Sequence, residues 1–106
     1  MIKAMVSPVL IFEKGFYIGR SNEDIESDFL KQGYQSQLVS EPPNSSEDPH
    51  THSETYIVVC ILGDMAVSSG IQHYDMVPGD KITIPAGVEH TAVFGSEGST
   101  YLWVKA

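Results

Sequence analysis

Three of the four histidines in this chain fall in two short stretches, His50-Thr51-His52 and Pro85-Ala86-Gly87-Val88-Glu89-His90. Imidazole is the commonest metal-binding side chain. Side chains alternate faces along a strand, so His50 and His52 point the same way if the backbone there is extended, and both can then reach one ion. His90 opens a strand-like run after the Pro-Ala-Gly turn, with Ala92 and Phe94 on its face. A sheet that brings the two runs together aims three imidazoles at one point. Neutral imidazoles in that number suffice for zinc, copper or nickel, with positions left open for water or substrate. By the same parity Glu54, Tyr56, Val58, Cys60 and Leu62 face inward beside the pair. Glu54 is the carboxylate on that face, whereas Glu47 and Asp48 read as solvated loop charges. His73, on a strand between the two stretches, reads as an exposed or rim residue.

The elements that must position these residues are mostly strands. Val9–Phe12 and Phe16–Ile18 are short apolar runs about a Glu13-Lys14-Gly15 turn. One helix follows. Ser21 caps it, Asp24 completes a capping-box pattern, Ile25 and Phe29 share a face that Leu30 widens, and Lys31 with Gly33 marks its end. Tyr34–Val39 is a candidate strand, and 41–49, rich in proline, serine and acid, is a loop. Beyond it lie Tyr56–Leu62, ended by Gly63-Asp64, then Met65–Val67, Ile71–Val77, Lys81–Ile84, Val88–Phe94 and Thr100–Val104, separated by turns. Short strands at close spacing predict an antiparallel sandwich or barrel. On the last strand Tyr101 and Trp103 share the face opposite Leu102 and Val104. If that face turns inward, Trp103 lines an aromatic ligand pocket with Tyr56 and Phe94.

At 106 residues the chain is one domain, long enough to bury a core without staples. Its formal charge is −8, from 14 acidic against 6 basic side chains, which disfavours nucleic acid and anionic membrane surfaces. A single cysteine, Cys60, excludes an internal disulfide and fits a reducing compartment. It reads as a small buried hydrophobe, with no basic neighbour to make a reactive thiolate. The first residues lack an apolar segment ending in a cleavage site, and no apolar stretch approaches the length of a membrane span. A cytoplasmic protein is the expectation.

Gly79-Asp80-Lys81-Ile82-Thr83-Ile84-Pro85-Ala86-Gly87-Val88-Glu89-His90 fits the second cupin motif, G-x5-P-x-G-x2-H, at every required position. His50-x-His52 and Gly63 fit the two ends of the first, H-x-H-x3–4-E-x6-G. The chain thus resembles a small single-domain cupin over 50–105, and more weakly back to Gly33, with the first motif around 50–63 and the second over 79–94 of one 1–106 domain. The resemblance implies an all-β double-stranded β-helix (jelly-roll) barrel with one short N-terminal helix, often a homodimer. It further implies a divalent metal (zinc, nickel, manganese, iron or copper) held by His50, His52 and His90. One position departs. Counting back from Gly63, the motif's glutamate falls on Tyr56, so the fourth place is left to Glu54, approaching from the loop side, or to the Tyr56 hydroxyl. Without that carboxylate the pattern fits a 2-His-1-carboxylate iron centre less well. Two functions follow from the resemblance: a metal-dependent enzyme on a small molecule, of oxygenase or isomerase type, or a non-catalytic module that binds or senses a small ligand with or without metal.

Overall fold

The computed structural model describes residues 9–106. Among the described residues, seven strands and one helix run in the order β1 (Ile11–Glu13), α1 (Asn22–Lys31), β2 (Gln37–Glu41), β3 (Ser46–His50), β4 (Tyr56–Ser69), β5 (Gln72–Met76), β6 (Lys81–Ile84) and β7 (His90–Lys105). All strand pairs are antiparallel, in the order β1-β6-β4-β7-β2, with β3 also on β7 and β5 also on β4. This is a jelly-roll barrel.

The long strands β4 and β7 are its frame. They pair from Tyr56↔Lys105 to Ser68↔Thr91, with register shifts at Cys60/Leu62 and Gly63/Met65. Gly63 and the Gly95–Gly98 stretch, expected as turns between separate strands, are instead bends inside this one ribbon, where Gly63 pairs with Ser99. The first shift leaves Ile61 unpaired and the second sets Asp64 against residues 95–98 of β7, so the ribbon bends and the parity that faces inward changes. Val58 and Cys60 therefore join the barrel core, but so do Met65 and Val67 on the far side of the bend. Leu62, expected to face inward, falls at the bend and is 63% exposed.

Gly63 has φ +71°, in the left-handed region, and a Cβ there would collide with the Gly98 carbonyl oxygen. Gly63→Ala is expected to cost about 2–4 kcal/mol, from left-handed backbone and forced overpacking together. Thermal denaturation should show a melting point lower by roughly 10–20 °C.

The opposite faces of β4 and β7 present Ile57, Val59, Leu102 and Val104 to the helix, which adds Ile25 and Phe29 to form a second core. Helix α1 begins as its sequence requires, with Ser21 Oγ accepting from the Asp24 amide at 3.1 Å. Its apolar stripe is narrower than expected, since Leu30 is exposed. Phe16–Ile18, expected as a strand, is a turn whose Tyr17 is buried beneath the helix and donates to Asp28 Oδ2 at 2.6 Å. Cys60 is fully buried, and burial pushes its thiol up to about 12, an inert core residue. No helix among the described residues is long and apolar enough to cross a membrane.

Candidate metal centre and cavity

Residues 46–49, expected within a loop, form with His50 the strand β3 on the edge of β7. The pairing sets His50 directly opposite His90, with an irregularity between Glu47 and His50. Pro49 is tolerated because an edge strand has one side free of ladder hydrogen bonds. β3 ends at His50, so His52 is aimed by a different device. Its carbonyl accepts the Gly87 amide at 2.9 Å, which ties the loop after β3 to the Pro-Ala-Gly turn just before His90.

The three rings converge, with centroids 4.3 Å apart for His50–His90, 4.7 Å for His50–His52 and 5.1 Å for His52–His90. One nitrogen from each lies within 4.8 Å of the others. Two of the rings are oriented by backbone. His50 Nδ1 stands 2.7 Å from the Asp48 carbonyl and His90 Nδ1 2.9 Å from that of Val88. A carbonyl can only accept, so each Nδ1 carries the proton and each Nε2 keeps its lone pair. This tautomer suits a metal ligand. Burial pushes the pKa of His52 below the ordinary 6.5, reinforced by His50, His90 and Lys105. Burial, the largest effect, also lowers His90 against the contrary pull of the Val88 carbonyl, with His50 lowering it further and Glu47 opposing. The donor set therefore fits a divalent transition ion in both geometry and protonation.

The cluster sits at the mouth of a cavity of about 210 Å³. Tyr56 and Trp103 form one wall: the His52 ring stacks on Tyr56 at 3.9 Å and 11°, and Tyr56 on Trp103 at 4.9 Å and 20°. Val58, Met65, Val67, Ile84 and Ala92 supply the aliphatic surface. Tyr101 completes the lining, its hydroxyl donating to Glu41 Oε2 at 2.9 Å.

Two expected site residues lie elsewhere. Glu54 is exposed on a bend outside the histidine group, because the chain between His52 and β4 turns outward. Phe94 does not line the cavity. It is buried behind Tyr101, stacked at 5.9 Å, since the bend in β7 carries it into the packed end of the barrel. Glu47 and Tyr101, outside the expected site residues, line the cavity. Tyr101 was legible from its parity with Trp103. Glu47 was not, because nothing in an acidic, proline-flanked segment announces a strand. His73 is exposed, between Ser68 Oγ at 2.7 Å and Asp75 Oδ1 at 3.0 Å, away from the cluster.

Comparison with known proteins agrees with this architecture. Residues 37–105 match the Cupin_2 family, described as the cupin domain. Among curated proteins none matches the chain. Solved structures do. A cupin-2 domain containing protein from Shewanella frigidimarina NCIMB 400 is 22% identical over 68% of this chain and 69% of its own, with a TM-score of 0.60. A cupin superfamily protein from Desulfitobacterium hafniense DCB-2 is 17% identical but spans 98% of this chain and 82% of its own, at 0.62. The polyketide cyclase RemF from Streptomyces resistomycificus is 25% identical over 67% of this chain and 51% of its own, at 0.58. Family match, barrel topology and the position of the histidines at its mouth converge: this chain belongs to the cupin family.

Proposed function

We propose that the protein holds a divalent transition metal on His50, His52 and His90 and receives a small molecule in the adjoining cavity. The observation that carries this reading is the convergence of three imidazole nitrogens within 4.8 Å, two of the rings oriented by backbone carbonyls. A bound ion would supply a Lewis acid able to polarise an oxygen of the bound molecule. The chain itself supplies the fit: the Tyr56–Trp103 stack offers a flat apolar wall, and Val58, Met65, Val67, Ile84 and Ala92 add further apolar lining. At about 210 Å³ the cavity suits a molecule at or below the small end of ordinary ligand sites.

Whether this ligand is turned over divides an enzyme from a binding module. The cavity wall beyond the histidines offers few groups able to move a proton, namely Glu47, Tyr56 and Tyr101. Tyr101 is pushed above its ordinary pKa by burial and by Glu41, so it stays a neutral hydroxyl. That scarcity favours a binding or sensing module. On the other side, RemF is by its name an enzyme.

Elemental analysis of protein purified without chelator or histidine tag tests the metal reading. About one equivalent of zinc, nickel, copper, iron or manganese is expected; less than about a tenth of an equivalent of each, with no uptake on addition, would overturn it. Protons compete for the same nitrogens, so affinity should fall as pH drops through about 6. The same sign holds for the metal-free fold. His52 and His90 have folded pKa values below the ordinary 6.5, so the unfolded chain takes up protons first. Stability is then full above pH 6.5 and declines as pH falls from there toward the folded values. Metal retained at pH 4.5 would count against an all-imidazole set. Candidate ligands that raise the melting point without being converted would mark the module; conversion would mark the enzyme.

A further inference from the structure

The cavity mouth contains a carboxylate to which the three-histidine reading gives no role. The place of the motif's glutamate is taken by Tyr56, whose ring is held between His52 and Trp103 and forms wall rather than ligand. Glu54 is exposed on its bend. Glu47 instead stands on β3 opposite Ala92, lines the cavity, and puts Oε2 3.8 Å from His50 Nε2. Two ligands about 2.1 Å from a tetrahedral ion lie about 3.4 Å apart, so a few tenths of an ångström separate this pair from the spacing that shared coordination needs. Closing on His52 and His90 falls to rotation of a side chain that is 44% exposed and free to turn. The charge requirement points the same way, because three neutral imidazoles leave a divalent ion with its whole charge at the mouth of an apolar cavity.

We infer that Glu47 is the anionic fourth ligand of this site, reached from β3 in place of the glutamate that Tyr56 displaces. The inference rests on the metal reading above. It makes the site a three-histidine, one-carboxylate centre whose carboxylate comes from before the histidine pair rather than after it.

Chelator competition with Zn(II) or Co(II), on the full chain without a tag, tests this directly. Glu47→Gln is expected to weaken the metal about 10-fold or more in both 0.1 M and 1 M NaCl, while Glu54→Gln leaves it unchanged. The visible absorption of the Co(II) form should also change in Glu47→Gln, as one oxygen donor is lost. Unchanged affinity, or a loss that vanishes in 1 M salt, would overturn the inference, since the second outcome marks a charge acting through space. His90→Ala separates the two readings. If it loses metal while Glu47→Gln keeps it, the fourth ligand alone is wrong; if neither changes binding, the centre itself is wrong.

Discussion

His90→Ala should abolish stoichiometric metal binding while leaving a folded barrel. His90 is 4% exposed, donates Nδ1–H to the Val88 carbonyl, and stands directly opposite His50 across the β3–β7 pair. Removing it takes away one of three imidazoles and leaves His50 and His52 facing a cavity the size of the lost ring. Even residues that only orient a ligand cost about 10–100-fold in affinity when replaced, so loss of a ligand should exceed about 100-fold. Isothermal titration with Zn(II) reads this directly. The melting point gives a second readout. An ion present at 100 times its Kd adds about 2.7 kcal/mol to the native state, which for a domain of this size is about 10–20 °C. Wild type should show that rise and His90→Ala should not. His73→Ala is the matched control, because His73 is exposed and hydrogen-bonded to Ser68 and Asp75 away from the cluster. A metal-dependent rise in melting point that survives in His90→Ala would refute the assignment of the site.

What could be read from the residues alone, and what could not, divides along one physical line. The second motif was legible because its chemistry is local: Pro78-Gly79 and Pro85–Gly87 demand turns, and the turn fixes where His90 begins its strand. The helix was legible for the same reason, its cap and stripe lying within one short segment. β3 was not. Its residues, Ser46-Glu47-Asp48-Pro49-His50, have poor strand propensity, and they form a strand only because β7 offers an unpaired edge. The inward parity of Leu62 failed on equally non-local grounds. Alternation holds as far as Cys60, and the register shifts beyond it depend on how β7 answers β4. Both failures bear on the site. Glu47 went unseen because β3 did, and Glu54 was favoured because alternation was carried into a segment that bends.

Asp80→Ala is expected to destabilise the fold by about 3–5 kcal/mol, lowering the melting point by about 15 °C or more. Asp80 lies at the start of the second motif, at the end of β6 remote from the histidines, and is 1% exposed. Its two oxygens accept from the Gly15 amide at 2.7 Å, the Val77 amide at 3.0 Å and Lys14 Nζ at 2.9 Å. Its backbone carbonyl accepts from Cys60, and the neighbouring Gly79 is tied to both Cys60 and Tyr17. The carboxylate thus joins the turn after β1 to the corner before β6, while the backbone beside it ties that corner to β4. Burial alone would raise its pKa, but the Val77 amide, Lys14 and the Gly15 amide outweigh burial and hold it below the ordinary 3.8. Lys14 is 66% exposed, so its ion pair is screened and the backbone donors dominate. Alanine leaves two amides unpaired at about 1–3 kcal/mol each, besides the lost charge. Lys14→Ala should cost less than about 1 kcal/mol, which separates the two contributions. The sign of the pH dependence follows from the depressed pKa. The charge stabilises the fold above pH 3.8 and ceases to do so as pH falls from there through the folded value, so wild type and Asp80→Asn should differ at neutral pH and converge in acid. Chemical denaturation at pH 7 and near pH 3 measures both limits, and a difference that persists undiminished in acid would show that shape rather than charge makes Asp80 matter.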